Sequence, residues 1–376
     1  MAYGSPLGIR RIYSFEFVVD FFDRSREFYI NKLGFKESHR STPEWEKIFS
    51  SRGVYFSANK IKILVSSPLS SHAYTARFLK TLSPGIRKVT FLVEDLQATI
   101  KYLQDHDATF IHEEKVLESE GTCHRFITIT TPIGFLEFSF LQISGDENAI
   151  PLFESLPGAN DTTSALKKID HLTINARTLY PIANFFEHVM GMEEYWRVAF
   201  HTPDYSTGRE GTGLTSRVMW DPASKIKFAT NEPLCPHFNE SQIQTFIDRN
   251  HGAGIQHIAF SVETIIDVVN RLRGQGVEFL DTPDSYYDLL MDRLRSCNVA
   301  QIDEALSDLK DHRILVDGKD DKYLLQIFLK DASLLYDEDN AGPFFYELIQ
   351  RKGHQGFGEG NFRALFEAIE SEESKR

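Results

Sequence analysis

Cysteine is scarce in this chain. Cys123, Cys235 and Cys297 are the only three cysteines among 376 residues, and they lie far apart without forming a CxxC pair. An odd number of distant cysteines argues against a disulfide framework and fits a reducing compartment. We therefore expect a cytoplasmic protein without structural disulfides.

Positive charge is also in short supply. The 41 Lys and Arg residues are outnumbered by 54 Asp and Glu residues, which gives a formal net charge of −13. Proteins that bind nucleic acids need a basic surface, so this balance argues against a nucleic acid as partner.

Long apolar runs are missing as well. No stretch approaches the ~18 uninterrupted apolar residues that a membrane helix needs. Glu16 and Asp20 interrupt the apolar part of the N-terminus, which is therefore a poor signal peptide. What the chain does have is a hydrophobic content of 41%, enough for real cores, and a length for which two domains are the default expectation.

The chain repeats itself. Gly85–His112 aligns without a gap on Gly254–Asp281, and each segment predicts an alternating strand, a helix and then a second strand, "ATFIH" or "VEFLD". Ser14–Ser38 likewise resembles His171–Tyr195, and each of these two segments predicts a strand followed by a helix that ends near a glycine.

These repeats predict an α+β fold of four βαβββ modules, paired into two half-open β-barrel domains. A segment rich in Pro, Gly, Asn, Ser and Thr, Glu154–Lys168, predicts the boundary between the halves. We expect an N-terminal barrel domain over residues 1–155 and a C-terminal barrel domain over residues 167–376. The concave side of such a half-open barrel forms a cup lined by the inward-facing side chains of the strands, and such a cup is a natural ligand site.

Two histidines occur in strands of the second half only. His171 and His257 align with Ser14 and Lys88 of the first half, so the fold itself does not require histidine at these positions. A lone strand histidine is more often a satisfied core residue than a ligand, but the repeat favours a chemical role here.

Glu347 lies between apolar neighbours in "FFYELIQ", where an ionised carboxylate is costly unless it is paired or metal-bound. Its counterpart in the first half is Glu137 or Phe138, depending on the gap. Two imidazoles and one carboxylate form the facial triad of non-haem Fe(II) oxygenases, but Zn, Mn or Ni could use the same ligands.

The second half resembles the 4-hydroxyphenylpyruvate dioxygenase family of the vicinal oxygen chelate superfamily. The matching stretches run from Ile169 to Glu370 and are "IDHLT", "TGLTSRVM", "NEP", "SQIQTF", "GAGIQHIAF", "YLLQIF", "ELIQRKG" and "GFGEGNF". The first half resembles the family only in its module plan and would be the non-catalytic domain. The resemblance implies that His171, His257 and Glu347 bind Fe(II).

The resemblance also implies a substrate pocket. Its residues would be Ser216, Asn231, Gln242, Gln256, Gln326, Phe328, Phe357 and Phe362. Gln242, Ser216 and Asn231 would orient the ring end of the substrate, and Gln256 and Gln326 would line the metal side. Phe357 and Phe362 would enclose the ring.

The C-terminal segment predicts a lid. Glycines make "RKGHQGFGEGN" easy to bend, Asn361 is a good N-cap, and Phe362, Leu365, Phe366 and Ile369 follow the spacing of an amphipathic helix. Such a helix could anchor the core, close over the cup, or do both. Upstream, "YDEDNAG" predicts an acidic hairpin that lengthens the connection between Phe328 and Glu347.

The activity that the resemblance implies belongs to tyrosine catabolism. Oxidative decarboxylation of 4-hydroxyphenylpyruvate with O2, and ring hydroxylation with a shift of the side chain, would give homogentisate and CO2. The chain would form a homodimer or homotetramer. Two alternatives stay open: 4-hydroxymandelate synthase, in which a smaller aliphatic residue resembles the position of Phe328, and a metal-free small-molecule-binding protein on the same fold.

Overall fold

The repeated segments fold as repeated units in a computed structural model, which describes residues 5–119, 121–158, 164–204, 209–336, 338–358, 360–364 and 366. Each unit starts with one strand and a helix and continues with three strands, as the repeat predicts. Within each unit the first strand pairs in parallel with the last, and this closes the unit into a curved sheet.

Two of these units form the N-terminal sheet. The elements of the first unit are β1 (Ile9–Val18), α1 (Phe22–Arg26) with a π-helical continuation (Glu27–Lys32), β2 (Lys36–Ser41), α2 (Pro43–Phe49), β3 (Ser51–Ala58), β4 (Ile61–Pro68) and α3 (Tyr74–Leu79). The second unit contains β5 (Gly85–Val93), α4 (Leu96–Asp105), β6 (Lys115–Ser119), β7 (Thr122–Thr130) and β8 (Glu137–Gly145), and β9 (Phe153–Ser155) follows it. The strand order is β6-β7-β8-β5-β1-β4-β3-β2-β9.

The other two units form the C-terminal sheet. The third unit contains β10 (Lys168–Asn175), α5 (Tyr180–Asn184) with a π-helical continuation (Phe185–Val189), β11 (Glu193–Asp204), β12 (Arg209–Trp220), β13 (Lys227–Pro233) and α6 (Gln242–Asn250). The fourth contains β14 (Gly254–Ser261), α7 (Ile265–Gly274), α8 (Asp284–Asp288), α9 (Leu290–Ser296), α10 (Leu306–Asp311), β15 (Leu315–Lys319), β16 (Lys322–Phe328), α11 (Ala332–Tyr336), a 3-10 turn (Asp339–Ala341) and β17 (Phe345–Lys352). The strand order is β11-β12-β13-β10-β14-β17-β16-β15.

Local sequence explains where several helices begin. Thr42 accepts a hydrogen bond from the backbone of Trp45 and is followed by proline at the first helical position of α2. The Asp95 carboxylate accepts from the backbone of Gln97 and Ala98 and caps α4 in the same way. None of the helices within the described ranges is both long and apolar enough to cross a bilayer.

The second strand predicted directly after the helix in "ATFIH" and "VEFLD" was wrong. There the structure has only isolated bridges, from Phe110 to Ile129 and from Phe279 to Leu329. The three-strand ladder starts later, at β6 and at β15, and in the fourth unit α8, α9 and α10 come in between. The apolar residues of these segments pack on the core, but only one residue of each segment forms a bridge to another strand, which is too little to sustain a ladder.

The acidic hairpin predicted in "YDEDNAG" was also wrong. The connection forms α11 and a 3-10 turn, while residue 337 lies outside the described residues. Asp331 explains the helix, because its carboxylate accepts from the backbone of Leu334 at 3.1 Å, as an N-cap does. The connection therefore re-enters the sheet at β17 with Glu347 on the concave face.

The two halves share one hydrophobic core. A single cluster of buried side chains includes residues from both sheets. Phe35 meets Phe260 with ring centroids 6.0 Å apart, and the hydroxyls of Tyr29 and Tyr346 form a buried hydrogen bond of 2.7 Å. The strands of one sheet end at Ser155 and those of the other begin at Lys168, while the domain division at 155 and 167 stays a prediction.

Candidate metal centre

Three adjacent central strands bring the candidate ligands together. His171 on β10 lies opposite Ala259 on β14, and Ala259 lies beside Glu347 on β17. His257 lies two residues earlier on β14, so alternation along the strand points it to the same concave face. The three side chains are almost completely buried, at 1%, 2% and 1% exposure.

The ligand atoms have the spacing of a metal site. The Nε2 atoms of His171 and His257 lie 3.2 Å and 3.4 Å from Oε2 of Glu347, and one ligand atom from each residue lies within 4.8 Å of the others. Neighbouring ligands of an octahedral ion with bonds near 2.1 Å are about 3 Å apart. The buried Nε2 of His171 makes no hydrogen bond to any residue that the structure describes, despite its short distance to the carboxylate. The residues therefore fit a divalent cation between them.

The protonation of the three groups is coupled. Burial opposes the charged form of His171, but the Glu347 carboxylate and Asp170 outweigh it and raise the pKa of His171. Burial lowers the pKa of His257, which favours the neutral imidazole that a metal needs. Burial opposes the charge of Glu347 too, but His171 and His257 hold the pKa of Glu347 at about 2. The centre thus combines an anionic oxygen with two imidazole nitrogens.

A hydrogen bond from the far side fixes each imidazole. Nδ1 of His171 lies 3.0 Å from Oδ1 of Asp170, and Nδ1 of His257 lies 3.1 Å from Oε1 of Gln256. Both oxygens are acceptors, so the proton of each neutral ring belongs on Nδ1 and the Nε2 lone pair faces the centre. Arg351 holds Asp170 in turn through two contacts of 2.8 Å and 2.6 Å.

The carboxylate of Glu347 is fixed by a chain of side chains. Gln326 donates from Nε2 to Oε1 of Glu347 at 2.9 Å, which leaves Oε2 to the two histidines. Asn361 donates to Oε1 of Gln326 at 2.9 Å, and the Tyr286 hydroxyl donates to Oδ1 of Asn361 at 2.7 Å. Arg293 donates to that hydroxyl at 2.7 Å. The chain connects the C-terminal segment with a candidate metal ligand.

The prediction that Asn361 is an N-cap was wrong. Residues 360–364 and 366 are helical, so Asn361 lies inside the first turn and uses its amide on Gln326 instead. The carboxylate of Asp317 on β15 accepts from the backbone of Gly360 at 3.1 Å and satisfies that end of the helix. Leu365 and Ile369, which the sequence assigns to the apolar face, lie outside the described residues.

The helix lies closed over the cup. The ring of Phe357 is 4.3 Å from that of His171 and 6.3 Å from that of Phe362, and both phenylalanines are buried. They share an apolar cluster with Phe366 and with residues of β12, β13 and α6. On the other side, Phe328 approaches the His257 ring edge-on at 6.0 Å. Aromatic side chains therefore border the centre on two sides.

The polar pocket residues form two groups. Gln256 donates to Oε1 of Gln242 at 3.3 Å, so these two amides lie together beside His257. Ser216 and Asn231 face each other across β12 and β13, and the Ser216 hydroxyl and the Asn231 Oδ1 have no hydrogen-bond partner among the described residues. Buried polar atoms of this kind are suited to a polar ligand.

Sequence reasoning missed three side chains at the centre. Nδ2 of Asn175 has no hydrogen-bond partner within the described ranges, whereas its Oδ1 accepts a hydrogen bond from Asn231 at 3.0 Å. It lies on β10 four residues after His171, so strand alternation could have identified it. No local signal pointed to Asp170 or Arg351, because the ion pair joins strands that are 181 residues apart in sequence.

Strand pairing also corrects the counterpart of Glu347. In the first half, Thr90 takes the place of Ala259, and its neighbour on β8 is Ser139. Neither Glu137 nor Phe138 is equivalent to Glu347. The first half thus has Ser14, Lys88 and Ser139 where the second has the three candidate ligands.

Comparison with known proteins finds a matching superfamily profile and similar enzymes. The profile of the Glyoxalase/Bleomycin resistance protein/Dioxygenase superfamily matches residues 11–136 and 168–294, that is, part of each sheet. A 4-hydroxyphenylpyruvate dioxygenase from Dictyostelium discoideum is 32% identical over 93% of this chain and 94% of its own length. One from Pseudomonas aeruginosa is 33% identical over 92% of this chain and 88% of its own length.

A solved structure shares the fold over almost the whole length. A triple mutant of 4-hydroxymandelate synthase from Streptomyces coelicolor superimposes with a TM-score of 0.82 over 97% of this chain and 99% of the other. The sequence identity is 24%, so this similarity concerns the fold.

Proposed function

Because the chain belongs to the 4-hydroxyphenylpyruvate dioxygenase family of the glyoxalase superfamily, we propose that it is an Fe(II)-dependent dioxygenase that converts 4-hydroxyphenylpyruvate and O2 to homogentisate and CO2. The observation that carries the proposal is the buried triad of His171, His257 and Glu347. Two nitrogens and one carboxylate oxygen leave positions open for a chelating keto acid and for O2.

The roles of the protein side chains follow from the contacts. Fe(II), when bound, would activate O2 beside the keto acid, and the substrate would supply the electrons that reduce O2. Asp170 and Gln256 keep a proton on Nδ1 of each histidine, so that both rings offer Nε2. Gln326 holds Oε1 of Glu347 and prevents the carboxylate from rotating away.

The aromatic side chains would exclude water and position the ring. Phe357 lies over His171 and Phe328 lies beside His257, so a flat substrate ring would sit between aromatic surfaces. Such contacts contribute roughly 0.5–1.5 kcal/mol beyond burial. Ser216 and Asn231, with their unpartnered oxygens, would accept or donate hydrogen bonds at the phenol end of the substrate.

Two measurements test the proposal. Protein purified without chelators should contain about one iron per chain, as expected for one triad, and should form homogentisate under air. Glu347→Ala should lose most of the iron and the turnover, while Glu263→Ala, on an exposed residue after β14, should keep both. Retention of near wild-type turnover in Glu347→Ala would refute the metal centre.

Product analysis separates the proposal from its nearest alternative. The large ring of Phe328 favours hydroxylation of the aromatic ring over hydroxylation of the benzylic carbon, because it restricts the space beside His257. Formation of 4-hydroxymandelate would identify the chain as a mandelate synthase instead. Absence of both metal and turnover would indicate a binding protein. Sedimentation of the purified chain would test whether it forms the homodimer or homotetramer that we propose.

A further inference from the structure

The N-terminal sheet encloses a cavity of its own. The cavity measures about 270 Å³ and lies on the concave face. Hydroxyl side chains form part of its lining: Ser14, Thr90, Thr128 and Ser139. Aromatic side chains form another part: Trp45, Phe49, Tyr55, Phe126 and Phe153. Because an apolar cavity of about 150 Å³ accommodates benzene, this cavity has room for one ring with a short polar substituent.

The position that corresponds to the metal centre offers donors instead of metal ligands. Ser14, Lys88 and Ser139 take the places of His171, His257 and Glu347, and all three line the cavity. Hydroxyls and an ammonium group donate hydrogen bonds to an acceptor oxygen and do not form a site for a divalent cation.

Two buried nitrogens at the cavity have no partner among the described residues. They are Nε2 of His124 and Nε of Arg87, in residues that are 5% and 9% exposed. A buried polar atom that lacks a hydrogen bond is destabilising. Burial, helped by Lys62, lowers the pKa of His124 to about 4, so its ring is neutral at pH 7. Both nitrogens are therefore available to a ligand.

The charges around Arg87 determine the sign of that ligand. Arg87 donates to Glu137 at 2.7 Å and to Glu16, and Lys88 lies 3.4 Å from Glu16. Two cations thus balance two carboxylates, and Lys115 adds a further positive charge to the lining. Arg87 keeps an unused donor, whereas both carboxylates are already paired. An anionic acceptor group fits this end of the cavity better than a cation.

We propose that the N-terminal cavity binds a small aromatic acid with a single ring. The ring would lie against the aromatic walls, and the carboxylate would accept hydrogen bonds from Arg87 and from the donors near Lys88. This site is separate from the triad and does not depend on the proposed function, because its lining, as far as the structure describes the chain, comes from the N-terminal half alone.

Ligand binding can be measured on the full chain with 4-fluorophenylacetate, by fluorine NMR and calorimetry. This acid has no keto oxygen, so it cannot chelate a metal through a keto acid group. We expect binding that Leu117→Trp weakens about tenfold or more, because Leu117 lines the cavity and a larger ring would fill it. Val116→Trp is the matched control, since Val116 is the exposed neighbour on the same strand and the lining does not include it.

Two further arms keep the test independent of how Leu117→Trp folds. His124→Phe keeps an aromatic ring at this position but removes the unpartnered nitrogen, and we expect it to weaken binding several-fold. 4-Fluorophenethylamine carries the same ring with a cation and should bind much more weakly than the acid. The proposal is overturned if the acid does not bind at millimolar concentration, if the amine binds equally well, or if neither Leu117→Trp nor His124→Phe changes the affinity. Metal content and turnover are separate readouts that test the triad alone.

Discussion

Gln326 donates a hydrogen bond from its side-chain amide to Oε1 of Glu347 at 2.9 Å, and both groups are buried. The two residues belong to neighbouring strands, where Phe328 rather than Gln326 is the register partner of Glu347. The amide therefore reaches diagonally across the sheet to hold the carboxylate that lies nearest to both histidines.

Removal of this amide should weaken the metal site. In Gln326→Ala, Oε1 of Glu347 loses its donor, and the carboxylate can turn away from the histidines. We expect iron affinity and kcat to fall by roughly 10- to 100-fold, as is typical when a partner of a metal ligand is lost. Chelator competition and steady-state kinetics measure the two effects. Gln244→Ala on α6, where the amide binds only Asp248, is the control.

Asp170 should affect both the metal and the stability. Asp170→Asn removes the charge that pairs with Arg351 and that orients His171. Loss of one partner of a buried ion pair costs about 3–5 kcal/mol. We expect a clear drop in the urea midpoint together with weaker iron binding. If iron affinity stays unchanged while stability falls, Asp170 only supports the fold and does not position His171.

Gly358 should be required at its position for two separable reasons. Its φ is +78°, and a Cβ atom there would collide with the side-chain amide of Gln326. Gly276 has a φ of +76°, and no atom of the described residues lies within 4 Å of the position that a Cβ would take. Gly276→Ala should therefore show the backbone strain alone, about 1 kcal/mol. Gly358→Ala should lose at least the same stability through backbone strain and should also have a lower kcat.

The cluster of Glu16, Arg87 and Glu137 should make stability depend on pH. Burial favours protonation of Glu16, but Arg87, Lys88 and Ser66 outweigh it and hold the pKa of Glu16 at about 2. A carboxyl group whose pKa is lower in the folded than in the unfolded protein stabilises the fold at pH values above the unfolded pKa, which is near 4.3 for glutamate. This stabilisation is lost as the pH falls towards 2.

Glu16→Gln should therefore destabilise the protein at pH 7 by an amount on the order of 3 kcal/mol. The difference from the wild type should shrink between about pH 4 and pH 2. Urea unfolding at several pH values measures it, with Glu113→Gln on an exposed residue as the control for the change in charge. A difference that is constant over this range would contradict the assignment.

The sequence predicted those features of the fold and the site that follow from its internal repeat. The internal repeat predicted four modules in two sheets, and the comparison of His171 and His257 with Ser14 and Lys88 identified two residues of the triad. Glu347 was added because of its apolar neighbours and the family resemblance, and the structure brings its carboxylate to the two histidines.

Other parts depend on contacts between distant segments, and no local pattern contains them. Asp170 and Arg351 meet only when β10 and the end of β17 come together. Asn361 carries the sequence of an N-cap, but a buried acceptor on Gln326 competes for its amide and prevails. The counterpart of Glu347 could not be assigned from one sequence, because the gap between the two halves is fixed only by pairing of β5 with β8.

Neighbouring side chains on β17 point in opposite directions. Glu347 faces the candidate metal centre, while Tyr346 is inserted into the first half, where its hydroxyl meets that of Tyr29 at 2.7 Å. A chain truncated to its second half would expose to water Tyr346, Phe260 and the other residues that pack against the first half. The N-terminal half is therefore required, although it carries none of the candidate ligands. It packs against the back of β17, the strand that presents the Glu347 carboxylate.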